Sequence, residues 1–219
     1  MAKYMVHAMP KRIWYVNEYL IPSMLAQGIK EEDIRVYNDI NREGNLKACM
    51  HAFEQVDDSA EGTWHLQDDV IISHDFKEKT EEYDSGIVCG FKSEYDGDIE
   101  PGIVPARQMW FSFLCIRIPN AYAKGCANWV FNYMIGNQAY RKYWKDGVND
   151  DWMFRHYVWS YYKKEQALNL APNIVDHIDY LIGGTVNSNK KIRQIRSKYW
   201  EDEYLVEELE QKLKERIDV

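Results

Sequence analysis

The sequence predicts an α/β domain with a mostly parallel sheet flanked by helices, followed by a C-terminal helical extension. Three observations predict it. Strand-like and helix-like patterns alternate through about the first seventy residues. The three strand-like runs end in turn or acidic residues, at Met9-Pro10, Asn38-Asp39 and Asp68-Asp69. From Asn187 the composition shifts to a basic stretch and then a charged helix. The expected division is a domain over 1–185 and an extension over 186–219.

Tyr4 to Met9 reads as the first strand, ended by Pro10. Ile13 to Leu20 has helical spacing that continues past Pro22 to Ala26, and Gln27-Gly28 closes it as glycine does at a helix C-terminus. Ile34 to Tyr37 is the second strand, and Gly44 to Val56 is a helix with Leu46, Cys49, Met50 and Phe53 on one face. Trp64 and Leu66 alternate with polar neighbours, which predicts a third strand. Strands separated by helices imply parallel pairing, so all three strand ends face one edge.

The middle of the chain is less regular. Asp75 to Tyr83 is expected as a short helix, Gly86 to Phe91 as a strand, and Ser93 to Pro105 as a loop. Met109 to Ile118 carries a strong strand signal, and Pro119 opens a helix through Tyr133. Asn149, Asp150 and Asp151 cap a further aromatic helix, and Leu168 to Val175 is the last expected strand.

The chain has 219 residues, 46% hydrophobic and 14% aromatic, enough for one sizeable ordered core. Its net charge of −8 argues against a protein that coats nucleic acid non-specifically. The 4 cysteines contain no CxxC pair, so neither a zinc site nor a disulfide frame is expected and reduced thiols in the cytoplasm are. Met1 to Pro10 is too short and polar for a signal peptide, and no apolar run is long enough for a membrane span.

The chemistry concentrates at Asp68-Asp69. Ligands of open α/β sheets bind at the carboxyl ends of strands. Two adjacent carboxylates there repel each other unless a cation lies beside them. Mg²⁺ or Mn²⁺ suits such oxygen ligands and shares them with substrate phosphates. An Asp-Asp turn is the plain alternative.

The order of Met9-Pro10-Lys11-Arg12, Tyr37-Asn38-Asp39, Leu66-Gln67-Asp68-Asp69-Val70, Asn149-Asp150-Asp151 and Val175-Asp176-His177-Ile178 resembles the GT-A class of nucleotide-sugar glycosyltransferases. The phage and bacterial members similar to the lipopolysaccharide and collagen glycosyltransferase family are nearest in pattern, over roughly 4–185. The resemblance implies a GT-A, Rossmann-like fold and transfer of a sugar from a nucleotide diphosphate donor, a uridine diphosphate sugar first, to an acceptor hydroxyl. It implies a Mn²⁺ or Mg²⁺ ion on Asp69 and His177, with Asp68 near the ribose or metal. Asp151 is the implied general base, with Asp150 its substitute. Pro10, Arg12 and Asp39 would line the nucleotide site. The chain departs from the family at Gln67, where the Asp-x-Asp motif has its first acid.

Two other readings compete: a metal-dependent nuclease or phosphotransferase on the same carboxylates, and a non-catalytic assembly protein using its C-terminal helix. The acceptor is open. The basic run Asn189 to Lys198 suits modified DNA or a wall polymer, and equally a solvated helix face. Trp110 is a candidate for stacking on a sugar, against core packing. Leu205, Leu209 and Leu213 form one stripe, which is expected to dock on its own domain, with a homodimer as the alternative.

Overall fold

The computed structural model describes residues 3–92, 101–106, 112–134, 150–183 and 199–217. Seven strands form one sheet: β1 (Tyr4–Ala8), β2 (Ile34–Asn38), β3 (Gly62–Gln67), β5 (Ile87–Cys89), β6 (Gly102–Pro105), β7 (Cys115–Pro119) and β8 (Gln166–Asn169). Their order is β2-β1-β3-β7-β5-β8-β6. β1 pairs in parallel with both β2 and β3, and β5 with β8. β7 runs antiparallel between β3 and β5, and β6 runs antiparallel on β8. Five strands therefore point one way, and their carboxyl ends share an edge. The sheet is mixed, not parallel throughout. A second, two-stranded ribbon joins β4 (Val70–Ile72) to β9 (Val175–His177).

The helices are α1 over 13–26, α2 (Asn45–Glu54), α3 (Phe76–Glu82), α4 over 120–134, α5 (Asp150–Tyr161), α6 (Asp179–Ile182) and α7 (Glu203–Ile217). Pro22 is tolerated within α1 because the preceding turn, Val16–Leu20, widens to a π-helix. In a regular α-helix its ring would collide with the carbonyl four residues back, at Glu18.

Alternation along the strands builds a core on each face of the sheet. Val6, Trp64 and Leu66 point to one side, where they meet Tyr15 and Leu20 of α1, Phe76 of α3 and Leu209 of α7. On the other side Ile116 and Ile118 of β7 pack with Phe53 of α2, Ala123 and Val130 of α4, and Phe154 of α5. His65 turns to this second side, where its ring meets Phe53 edge-on.

Several expected boundaries change. β6 lies inside the stretch expected as a loop, because Gly102 to Pro105 finds a free edge at β8. Such pairing depends on a partner distant in sequence, which local propensity does not show. The strand expected over Leu168 to Val175 is two elements, β8 and β9, separated by a turn through a cis Ala171–Pro172 bond. β7 starts only at Cys115. Trp110, Asn149 and the basic run 189–198 lie outside the described residues.

The C-terminal helix packs on the domain. Val206 and Leu209 are buried, and Leu209 and Leu213 join the core cluster of α1, β1 and β4. No helix among the described residues is long and apolar enough to cross a membrane.

Candidate functional site at the carboxyl edge

The site begins with a turn. The Arg12 N–H donates to the Met9 carbonyl at 2.9 Å, with Pro10 second in the turn, where its fixed φ is favoured. That turn sends the Arg12 side chain back over the end of β3. Its Nη1 donates to Asp68 Oδ1 at 2.8 Å and to Asp69 Oδ2 at 2.5 Å, and its Nε to the Gly183 carbonyl at 3.1 Å. Asp68 Oδ2 accepts the Met9 N–H at 2.5 Å, so both its oxygens are engaged. Arg12, Asp68 and Asp69 are all buried.

The ribbon brings in His177. β4 follows the acid pair directly, and β9 lies against it with Val70 opposite His177. The Ile178 N–H donates to the Asp69 carbonyl at 2.9 Å, and the Tyr15 hydroxyl to the Val70 carbonyl at 2.9 Å, which fixes the ribbon to α1. Gly90 lets β9 approach the main sheet: a Cβ there would lie 2.6 Å from Ile174. As a result His177 Nε2 stands 3.3 Å from Asp69 Oδ2, and its Nδ1 stands 3.7 Å from Asp179 Oδ1.

The two acids differ electrostatically. Burial and the charge of Asp69 push the Asp68 carboxyl up. Burial would raise Asp69 too, but His177 and Arg12 outweigh it and hold that carboxyl well below the usual range. Burial lowers the His177 imidazole, and Asp69 more than offsets this, so its pKa is raised.

Asp39 closes the neighbouring strand end. Its N–H donates to the Ala8 carbonyl at 2.9 Å, and its carboxylate accepts the N–H groups of Glu43 at 3.0 Å and Gly44 at 3.3 Å. The carboxylate thus orders the loop that starts α2. The next residue, Asn45, donates through Nδ2 to Asp150 Oδ1 at 3.1 Å. α5 is thereby tied by its first residue to the same edge. Asp150 is buried, and burial together with the charge of Asp151 raises its pKa to about 7. The Cys49 thiol hydrogen-bonds it. Asp151 is partly exposed, and its Oδ1 accepts the Trp152 N–H at 2.6 Å.

The chain matches no protein-family model, and no curated protein matches it.

The structure brings Pro10, Arg12, Asp68, Asp69 and His177 into one cluster, with Asp39 and Asp150 linked to it through the loop before α2. The Arg12 guanidinium lies between the two acids and balances part of their charge. The Arg12 guanidinium is turned onto the carboxylates rather than outward to a phosphate. Asp39 spends its carboxylate on backbone donors. Among the described residues, no group of three or more His, Cys, Asp or Glu gathers to hold a metal ion. The pair Asp69 and His177 still suits one as part of a larger ligand set. Asp69 Oδ1 is buried with no hydrogen-bond partner among the described residues, whereas Oδ2, 3.3 Å from His177 Nε2, also accepts from Arg12.

Sequence reasoning missed Asn45, Asp179 and the Gly183 carbonyl, which carry no motif. It also gave no role to His7 and His65, which share a hydrogen bond of 2.8 Å between Nε2 and Nδ1. Two clefts of about 200 and 270 Å³ lie elsewhere, one between the start of β1 and α3, the other between α1, β4 and α7.

Proposed function

We propose that the protein is a glycosyltransferase of GT-A type, moving a sugar from a nucleotide diphosphate donor to an acceptor hydroxyl. The observation that carries this reading is the joining of Asp69 to His177 by the β4–β9 ribbon at the carboxyl edge, beside a buried Arg12. The sequence resemblance puts the donor diphosphate at the same two residues. The mixed sheet, with its reversed β7 and separate ribbon, is compatible with that fold.

In this reading the acceptor oxygen attacks the anomeric carbon while its proton passes to the Asp151 carboxylate. The bond from the anomeric carbon to the diphosphate oxygen breaks, and the nucleoside diphosphate leaves with the electron pair. Asp151 is the better base, because it is partly exposed while Asp150 is buried against Asn45. Asp150 holds the start of α5, and so holds Asp151. Asp69 and His177 would hold Mn²⁺ or Mg²⁺, which supplies positive charge for the leaving diphosphate. Arg12 keeps both acids of the pair in place, and the Asp68 carboxylate fixes the Met9 end of the nucleotide site.

Thermal unfolding with uridine diphosphate and Mn²⁺ tests the reading. A rise in Tm that needs both components is expected. The reading fails if neither uridine diphosphate nor another nucleoside diphosphate stabilises the protein in the presence of Mn²⁺.

A further inference from the structure

Helix α5 has two different faces. Met153, Phe154 and Val158 are buried in the core. Trp152, His156 and Trp159, spaced four and three residues apart, share another face. Their rings pack in sequence along a strip and are tilted to one another: the His156 centroid lies 3.8 Å from that of Trp152 and 5.8 Å from that of Trp159, with planes at 51° and 46°, and Trp152 also touches the core. Trp159 is 52% exposed, and the other two are partly exposed.

The strip is not simply apolar. Arg155 flanks it on the side of Asp151, and Ser160 flanks it on the other. Each ring of the strip also carries an N–H or ring nitrogen at its rim. Apolar ring faces edged by hydrogen-bonding groups match a pyranose, which has an apolar face of C–H groups and a rim of hydroxyls. The strip begins beside Asp151, whose Oδ1 accepts the backbone N–H of Trp152. Trp152 and Trp159 are about 10 Å apart along the helix axis, room for more than one sugar ring. The net charge of −8, with Asp151 at the head of the strip, opposes a polyanion and favours a neutral ligand.

We infer that Trp152, His156 and Trp159 form an acceptor subsite for a neutral oligosaccharide, which stacks along α5 with its reacting hydroxyl at Asp151. The inference rests on the reading of Asp151 as general base and adds the acceptor class to it. It favours a glycan over DNA among the acceptors open from the sequence.

Calorimetric titration of the full chain with maltohexaose, cellohexaose and chitohexaose tests it, with a short single-stranded DNA as the anionic comparison. Saturable binding of at least one hexasaccharide is expected. Trp159→Ala should weaken it about tenfold or more with an unchanged circular dichroism spectrum, and Trp159→Phe should retain most of it. Trp159 is the exposed member, so its loss spares the core. The inference is overturned if no hexasaccharide binds at millimolar concentration, if Trp159→Ala binds as well as the native chain, or if only the DNA binds. It is also overturned if Trp159→Ala turns a dimer into a monomer in sedimentation, since the strip is then an interface between copies. Stabilisation by uridine diphosphate and Mn²⁺ without hexasaccharide binding removes this inference alone. Failure of both measurements removes the glycosyltransferase reading as well.

Discussion

Arg12 and Asp69 form a buried ion pair across 57 positions of sequence, with Nη1 2.5 Å from Oδ2. The same nitrogen holds Asp68 at 2.8 Å. A guanidinium suits this task because its charge is spread over a planar fork that reaches two carboxylates and a carbonyl together.

Removing that cation should be costly. Arg12→Met leaves two adjacent buried carboxylates without their guanidinium, Asp69 beside His177 and Asp68 on the Met9 N–H. Breaking a buried pair from one side costs on the order of 3–5 kcal/mol. The expected result is a large fall in the urea midpoint, with part of the loss recovered when Asp69→Asn is added. If Mn²⁺ takes the place of the guanidinium between the acids, it should stabilise Arg12→Met more than the native chain. Equal midpoints for Arg12→Met and the native protein would show that the pair contributes little.

The acid pair was legible in the sequence, and its counter-charge was not. Asp68-Asp69 stands at the end of an alternating strand, so a carboxyl-edge site followed from local pattern. Arg12 sits 56 residues away from Asp68, and only the parallel pairing of β1 with β3 makes them neighbours. The same limit applies elsewhere. The first three strands and their shared edge follow from periodicity, because their partners are the next strands in the chain or nearly so. The reversal of β7, the edge strand β6 and the β4–β9 ribbon depend on contacts across long stretches of sequence. Asp150 reads as a surface helix cap because its burial comes from Asn45 and Cys49 on α2. His65 alternates with Trp64 and Leu66 and is buried as they are, because both faces of this sheet are covered.

Asp150 should make stability depend on pH. Its folded pKa of about 7 lies above the ordinary carboxylate value of 3.8, so the folded state holds the proton more tightly than the unfolded state does. Stability from this group is then highest below the unfolded value and falls as pH rises from about 4 to 7. Each pKa unit corresponds to roughly 1.4 kcal/mol, so the fall is a few kcal/mol at most. Asp150→Asn should flatten that part of the pH–stability curve. An unchanged slope would mean that Asp150 ionises normally.

The two acids at the head of α5 are separable by kinetics. Asp151→Asn should reduce transfer by about 10² or more while leaving the nucleotide-induced Tm shift intact, as expected for a general base. Asp150→Asn should keep substantial transfer, since the amide still meets Asn45. If Asp151→Asn weakens nucleotide binding as much as turnover, the residue belongs to binding or capping. The reverse pattern would move the base to Asp150.

His7 and His65 set an acid limit. Burial lowers the His7 pKa to about 4 and pushes His65 well below its ordinary value, so both rings are neutral in the fold. The unfolded chain takes up these protons near pH 6.5, so the neutral pair's contribution is complete above that pH. It is lost as pH falls toward 4. The double variant His7→Leu, His65→Leu should unfold at lower pH than the native chain in an acid titration followed by circular dichroism. An unchanged acid midpoint would assign acid unfolding to other groups.

The C-terminal helix should loosen at alkaline pH. Asp202, just before α7, accepts the His74 backbone N–H at 2.9 Å and pairs with His74 Nδ1 at 2.9 Å. That pairing raises the imidazole pKa, with Asp75 and Glu78 adding to it. For a raised histidine the stabilisation is full below the unfolded value near 6.5 and disappears as pH rises through the folded value. The His74 side chain is 64% exposed, so the ion pair contributes less than about 1 kcal/mol. The backbone hydrogen bond and the burial of Val206 and Leu209 remain at every pH. The latch therefore weakens without opening. Amide exchange protection across α7, corrected for intrinsic rates, should fall about two- to fivefold between pH 6 and pH 8.5. His74→Ala should start at the lower value and show little pH dependence. Removal of residues 199–219 should expose the apolar surface of α1 and β4 and lower solubility. A truncated chain that stays soluble and monomeric, from a native chain that is a dimer, would show that α7 serves as an interface between copies.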